Sequence, residues 1–260
     1  MHLLAAAAAV GAGLAAGTIN TVVGSGTLIT FPTFLALGYP PLVANVSNTI
    51  GLVPGSLSGV HAYRKELGSP EQHQRAVHLG CFSLLGAIAG AVLLLALPGT
   101  AFKRVVPFLI LMACALVLLQ PRVSRWLRRR RSESVEADGT GRAEHLSPVL
   151  LAVVFATGVY GGYFGAAQGV ILISFLGIFI SDNLQRLNAL KNVLALLANL
   201  VAGVVFAFSG HVSWSLAAVM AVGAVAGGQL GGLVGRRLPQ PVLRATVVVV
   251  GTAVSLYMLA

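Results

Sequence analysis

The chain has 260 residues, of which 57% are hydrophobic and only 9% are charged, and its mean hydropathy is +0.88. A soluble domain of this size needs more charged surface, so the composition excludes a soluble globular protein and indicates an integral membrane protein. The net charge of +10 does not indicate nucleic-acid binding, because the basic residues cluster in short segments between apolar runs, as in membrane proteins oriented by charge.

The first predicted element is an apolar stretch over residues 3–38 that is interrupted between Gly17 and Gly26. A helix broken inside a bilayer frees backbone N–H and C=O groups that lipid cannot satisfy. Such a break persists only where protein, water or a substrate takes those hydrogen bonds. The part after the break, Thr27 to Leu37, is too short to cross a membrane, which predicts a re-entrant pair of half-helices.

Three apolar runs of transmembrane length follow, at residues 42–63, 76–97 and 104–121. Asn45 and Asn48 in the first run are three residues apart and therefore share a helical face. An amide exposed to lipid is costly, so this face should point into the protein. Two interpretations stay open: the amides hold neighbouring helices together, or they line a central polar cavity.

Residues 121–147 form the one predicted linker. It contains seven arginines, among them Arg128 to Arg131, followed by Ser, Glu, Asp and Gly residues typical of a flexible loop. Such a segment suits a cytoplasmic surface that lies on anionic lipid, and a regulatory contact is the alternative. The linker separates a first transmembrane repeat, residues 1–120, from a second, residues 148–260.

The second repeat has the same order of elements as the first. Its broken stretch covers residues 148–181, and the interruption lies between Gly161 and Gly169. Asn188 and Asn192 follow it on one helical face, as the two amides do in the first repeat. Three apolar runs complete this repeat, at residues 187–209, 212–235 and 239–259.

Glycines recur every four residues in the second of these runs, which places them on one helical face. Such a face lets two helix backbones approach closely in lipid, so we predict helix packing here, with substrate lining as the alternative. The glycines concerned are Gly223, Gly227, Gly231 and Gly235.

The distribution of basic residues indicates the topology. If each repeat crosses the membrane three times, the second inserts upside down, and all 17 basic residues except Lys103 and Arg104 lie on one side. A topology in which each broken stretch crosses once divides them far more evenly, so the positive-inside rule favours the first arrangement. We therefore predict an all-α polytopic membrane protein with two inverted repeats, a cytoplasmic linker and an external C-terminus. The prediction comprises six full spans and two re-entrant hairpins. It gives seven or eight transmembrane helices if the longer arm of one or both hairpins is counted as a span.

Paired glycine-interrupted segments at matching positions of two repeats are the best sequence indication of a transporter's binding site. A half-helix that begins after each break offers free N–H groups and a partial positive charge, which favour an anion. No acidic residue accompanies the breaks, whereas a cation site needs carboxylates or many carbonyl ligands. The predicted substrate-binding residues are Asn20, Thr21, Gly24, Ser25, Gly26, Thr27, Asn45, Asn48, Gln168, Gly169, Asn188, Lys191 and Asn192.

Lys191 is the only charged residue within these polar motifs, and it has two interpretations. It attracts the substrate, or its ammonium snorkels from the helix end to the cytoplasmic surface. The sequence contains no clustered Cys and His residues, no nucleotide-binding loop and no Ser/His/Asp set. We therefore expect no metal site, no cofactor and no enzymatic activity.

The segment from Gly17 to Gly59, with Gly24-Ser25-Gly26 at the break, resembles the TauE/SafE family of membrane permeases. The second break and the segment from Arg186 to Asn192 also resemble this family, although more loosely. Many members carry three consecutive glycines at the break, and this chain departs from that pattern in both repeats. The resemblance implies a plasma-membrane carrier for sulfur-containing anions such as sulfite, sulfonates or related organic acids, often in the direction of export.

The expected partners are the anion and membrane lipid, and a homo-oligomer stays open. The alternatives are a carrier for a cation, a metal or a non-sulfur organic acid, and, with less support, a membrane enzyme or a scaffold. A central cavity lined by neutral amides favours the anion, and one lined by carboxylates favours a cation.

Overall fold

The structure is a computed structural model that describes residues 3–137, 147–234 and 240–259. The regular secondary structure in these ranges is entirely helical, because apolar runs that must satisfy their own backbone groups in lipid form helices. The helices are α1 Leu3–Val22, α2 Thr27–Ala36, α3 Pro41–Ala62, α4 Pro70–Ala96, α5 Gly99–Ala137, α6 Pro148–Tyr163, α7 Gln168–Phe179, α8 Leu184–Ala207, α9 Trp214–Val234 and α10 Gln240–Leu259.

Both predicted breaks are present, and both are shorter than the sequence suggested. The helix α1 continues to Val22 and α6 to Tyr163, so the non-helical segments are only residues 23–26 and 164–167. Gly17, which we predicted as part of the break, lies inside α1, where α9 packs directly on its backbone. This glycine serves helix packing rather than interruption of the helix.

Five helices in the described part of the chain are long and apolar enough to cross a membrane: α1, α4, the first part of α5, α8 and α9. The predicted class of an all-helical polytopic membrane protein is confirmed. The helix α1 has 20 residues, which is long enough to cross the membrane and longer than the predicted half-helix of a re-entrant pair. By contrast, α2, α6 and α7 are too short to cross alone. The helix α3 has 22 residues and contains Asn45, Ser47 and Asn48, and it is not among these five.

The helix α5 extends far beyond the predicted span end at residue 121 and reaches Ala137. The first part of the predicted linker is therefore helical, as its Arg, Leu and Glu residues favour. The remainder of the linker, residues 138–146, lies outside the described residues.

The helix contacts follow a two-fold pattern when α1–α5 are matched in order with α6–α10. Thus α1 packs along α9 as α6 packs along α4, and α3 packs against α9 as α8 packs against α4. The helices α3 and α8 contact each other, as do α5 and α10. We call α1, α3 and α9 the first bundle, and α4, α6 and α8 the second bundle. Each repeat therefore contributes its fourth helix to the bundle of the other.

Glycines make this close packing geometrically feasible, as predicted for α9. A Cβ atom added to Gly223 would lie 2.9 Å from the carbonyl carbon of Val10, and one added to Gly227 would lie 2.9 Å from that of Leu14. Real Cβ contacts are never this short, so any side chain here would push α1 away from α9. The packing interpretation is confirmed for the described glycines of this face, while Gly235 lies outside the described residues.

The loop between α7 and α8 is fixed to α4 by a buried carboxylate. Asp182 accepts a hydrogen bond from Gln72, forms an ion pair with Arg75 at 2.8 Å and approaches Arg186 at 3.6 Å. The Asp182 side chain is only 10% exposed, so its charge needs these partners. This network anchors the end of α7 that lies away from the break.

Candidate functional site

The two breaks touch each other in the interior of the protein. The backbone N–H of Gly169 donates to the carbonyl oxygen of Gly24 at 3.1 Å. Gly24 has a φ of +84°, and a Cβ atom there would lie 2.8 Å from the carbonyl carbon of Gly169. Only glycine suits a residue with both a left-handed backbone and another backbone at this distance.

The first break leaves two carbonyl groups of α1 without helical partners. The N–H groups of Val23 and Gly24 both donate to Ile19, at 2.7 and 3.0 Å, so the chain turns away before it can bond the next two carbonyls. Those carbonyls belong to Asn20 and Thr21. A buried carbonyl needs a donor, and here the donors come from the other repeat.

Three polar side chains on one face of α8 supply these donors. The ammonium of Lys191 donates to the Asn20 carbonyl at 3.3 Å and to the Thr21 carbonyl at 3.1 Å. The amides of Asn188 and Asn192 also donate to the Thr21 carbonyl, at 3.3 and 3.4 Å. The second repeat therefore caps the carbonyl end of the broken helix in the first.

Lys191 is buried, with 1% of its surface exposed. The interpretation that it snorkels to the membrane surface is wrong, because its aliphatic stem passes Gly169 and its ammonium ends at the carbonyl end of α1. This end carries a partial negative charge, which favours a cation. Among the described residues its ammonium has carbonyl partners and no carboxylate partner.

The second break begins with the same backbone geometry and differs at its end, where Ala167 is left-handed and Gly26 is not. The N–H groups of Phe164 and Gly165 both donate to Tyr160, at 2.9 and 3.0 Å, and Gly165 has a φ of +74°. The carbonyl of Tyr163 accepts a hydrogen bond of 3.0 Å from Asn45 of α3. Each broken helix is thus capped by an amide from the third helix of the opposite repeat.

The helices that start after the breaks have no side-chain caps. At the start of α7, the backbone carbonyls of Gly165, Gly24 and Ala167 accept the first N–H groups. No side chain accepts a hydrogen bond at the N-terminus of α2 or of α7, where Gly26 and Ala167 occupy the capping positions. Three buried polar atoms nearby also have no hydrogen-bond partner: Ser25 Oγ, Gln168 Nε2 and Asn45 Oδ1. Unpaired buried polar groups are costly, so their concentration at this junction indicates that a ligand or water completes it.

The structure separates the predicted site residues into three groups. The first group lies where α8 meets the end of α1 and where the two glycines touch. It consists of Asn20, Thr21, Gly24, Gly169, Asn188, Lys191 and Asn192. The helix starts contribute Ser25, Gly26, Gln168 and, on the face towards α3, Thr27. Asn45 lies at the end of α6 instead, and Asn48 bonds the hydroxyls of Thr27 and Thr30 on α2.

Sequence reasoning missed several residues at this junction. Ser56 accepts hydrogen bonds from Asn20 at 3.4 Å and Asn199 at 3.5 Å, and so joins α1, α3 and α8. Asn199 could have been found as a lone amide within an apolar run. An aromatic cluster beside the second break gave no such signal; it consists of Phe31, Phe102, Tyr163 and Phe164, with ring centroids 5.3 to 6.1 Å apart.

Comparison with known proteins agrees with this architecture. The model of the family described as "Sulfite exporter TauE/SafE" matches residues 9–258, which confirms the resemblance seen in the sequence. A probable membrane transporter protein of Haemophilus influenzae is 28% identical over 225 residues, covering 84% of this chain and 80% of that protein. The probable membrane transporter protein YfcA of Escherichia coli K12 is 24% identical over 241 residues, covering 92% and 84%. A probable membrane transporter protein of Sinorhizobium, ORF9, is 27% identical over 249 residues, covering 94% and 88%. No solved structure matches the chain.

Proposed function

Because the chain belongs to the sulfite exporter TauE/SafE family, a family of membrane transporters, we propose that it is a secondary carrier for small anions whose binding site lies where the two breaks meet. The observation that carries this proposal is the contact between Gly24 and Gly169, which joins the uncapped starts of α2 and α7. The partial positive charge of a helix start favours an anion there.

Charge at the junction favours an anion over a cation. The aliphatic stem of Lys191 passes Gly169 and its buried ammonium lies at the Asn20 and Thr21 carbonyls, while the buried amide nitrogen of Gln168 has no acceptor. The unpaired oxygens of Ser25 and Asn45 support a second candidate, a cation carrier, because cations bind oxygen ligands. A fixed ammonium in the same junction would repel such a cation, so the anion is the better candidate.

The family supplies the proposed substrate class. Its description names a sulfite exporter, and we extend this to sulfite, sulfonates or related organic acids for the present chain. A sulfonate or sulfite group presents three oxygens, which can accept hydrogen bonds from several N–H donors at once. Moving one negative charge out of the cell is favoured by about 2.3 kcal/mol per 100 mV of membrane potential, so export could run without a coupled ion.

Alternating access would arise from movement of the first bundle against the second. In our proposal the repeats are inverted, and both bundles lie in the plasma membrane with the Arg-rich linker in the cytoplasm. The bonds from Asn45 to Tyr163 and from α8 to Thr21 cross between the bundles. These bonds would break and reform in each cycle, whereas the glycine-packed contacts within a bundle would move as rigid units.

The proposal is tested by anion flux into proteoliposomes of the purified full-length protein at a set membrane potential. Sulfite, thiosulfate, methanesulfonate and chloride are compared, with protein-free vesicles as the control. Saturable, potential-driven flux of a sulfur-containing anion supports the proposal. Flux of a cation, or no flux of any of these anions by monodisperse, inserted protein, contradicts it.

A further inference from the structure

Four helix ends meet at the junction of the two breaks. The C-terminal ends of α1 and α6 face it, as do the N-terminal ends of α2 and α7. Helix ends carry partial charges of roughly +0.5 at the start and −0.5 at the finish, so the two starts and two finishes approximately cancel. Helix ends alone therefore leave the junction close to neutral, although each has its own local preference.

Lys191 is then the one formal charge that the described residues place at this junction. Its ammonium is held by the carbonyls of Asn20 and Thr21, and the amides of Asn188 and Asn192 share the second of these carbonyls. The described carboxylate that is buried, that of Asp182, lies in the α7–α8 loop and is occupied by arginines. With Lys191 protonated, the junction carries a net charge of about one positive unit, and no acidic group among the described residues neutralises it.

We propose, resting on the carrier function proposed above, that Lys191 is the fixed counter-charge of the transported anion, so that the site takes a singly charged anion and the empty carrier moves the net charge. A bound monoanion neutralises Lys191. An empty site leaves the ammonium uncompensated.

The consequence concerns which step of the cycle senses the membrane potential. Water in the open vestibule brings the potential of that side to the site, so a fixed charge at the site crosses the field whenever access changes sides. A loaded carrier is neutral and changes sides without electrical work. The empty carrier bears one positive charge, and an inside-negative potential drives it from the outward-facing to the inward-facing state. Export of one anion is then powered during the return of the empty carrier.

The same argument predicts that the site prefers a substrate with one negative charge to one with two. Methanesulfonate and methanedisulfonate present the same sulfonate group with one and two negative charges. The second charge of the disulfonate finds no cation among the described residues of the junction, and a buried unpaired charge is strongly disfavoured. We expect saturable flux of methanesulfonate and at least tenfold slower flux of methanedisulfonate.

The experiment uses purified full-length protein in proteoliposomes whose potential is set by a potassium gradient and an ionophore. Labelled methanesulfonate is followed in two modes: exchange against unlabelled methanesulfonate, and net efflux into anion-free buffer. Exchange uses only loaded carriers and should not change with potential, whereas net efflux should accelerate several-fold with potential. Exchange that responds to potential, or disulfonate flux equal to that of the monosulfonate, overturns the inference while leaving the carrier function intact. Absence of saturable anion flux overturns both.

Two variants and a matched control locate the charge. Lys191→Arg keeps it and should retain potential-insensitive exchange, while Lys191→Gln removes it, so any remaining exchange should depend on potential. Lys103→Gln, an exposed lysine near the start of α5, should behave as the parent protein does. Identical exchange in Lys191→Gln and the parent protein contradicts the role of Lys191. The test of the parent protein stands even where a variant does not fold.

Discussion

Replacement of Gly24 by alanine should strongly destabilise the junction of the two breaks. The left-handed backbone of Gly24, with φ at +84°, costs an alanine about 1–2 kcal/mol. The new Cβ atom would also lie 2.8 Å from the carbonyl carbon of Gly169, and overpacking of this kind costs about 1–3 kcal/mol. The sum is a loss of about 2–5 kcal/mol and displacement of the starts of α2 and α7.

Variants of two other glycines distinguish the two causes of this destabilisation, the left-handed backbone and the overpacking. Gly210 has a φ of +73° and open space around its Cβ position, so Gly210→Ala should lose only about 1–2 kcal/mol and keep transport. Gly169 does not have a left-handed backbone, but a Cβ atom there would lie 2.5 Å from the Cα atom of Gly24. Gly169→Ala should therefore lose about 1–3 kcal/mol from overpacking alone and also lose transport.

The assay combines thermal unfolding of each purified variant in detergent with sulfonate flux in proteoliposomes. We expect stability to decrease in the order parent, Gly210→Ala, Gly24→Ala, with flux retained in Gly210→Ala and lost in both junction variants. Gly24→Ala protein that is as stable as Gly210→Ala and transports at the parental rate would refute the close contact between the breaks.

Three further predictions concern the amides, the loop anchor and the topology. The Asn192→Leu variant should insert normally but transport at least tenfold more slowly, because it loses a cap of α1 worth about 1 kcal/mol and narrows the junction. The matched variant Gln229→Leu in α9 should keep the parental flux. Equal flux in both variants would remove Asn192 from the site. Asp182→Asn should lose about 2 kcal/mol in thermal or denaturant unfolding, because it removes the charge of a buried carboxylate that pairs with Arg75 and Arg186, and unchanged stability would contradict the network. A reporter fused after Leu259 should be active only outside the cytoplasm, and cytoplasmic activity would contradict the inverted topology.

The spans and breaks could be predicted from the sequence because their signals are local. An apolar run at 42–63 became the helix Pro41–Ala62, and glycines next to short apolar runs marked both interruptions. The same signal misassigned Gly17, because a glycine in an apolar run serves close helix packing as well as a break. Local sequence does not distinguish these uses, since the difference lies in which helix packs against the residue.

The partners of the polar residues could not be predicted, because they come from the opposite repeat. Periodicity placed Asn188 and Asn192 on one face of α8, but the target of that face, the Thr21 carbonyl, is 167 residues away from Asn188 in sequence. The sequence alone is also consistent with a surface position of Lys191, because the end of α1 that accepts its hydrogen bonds belongs to the other repeat. Asn48 matched Asn192 in sequence pattern yet bonds α2, because the two repeats differ in the hydroxyls that follow the break.

The two ends created at each break are treated differently, and this difference bears on function. The carbonyl ends of α1 and α6 receive donors from α8 and α3, whereas the N–H ends of α2 and α7 receive no side-chain acceptor. A protein that needed the breaks only for packing could cap both kinds of end with side chains, since Ser, Thr, Asp or Asn at a helix start would provide the acceptors. A helix start without such a side chain keeps its partial positive charge, which suits an acceptor that arrives from outside, as a transported anion does. In the proposed carrier, the capped ends hold the bundles in register, and the helix starts without side-chain caps face the substrate.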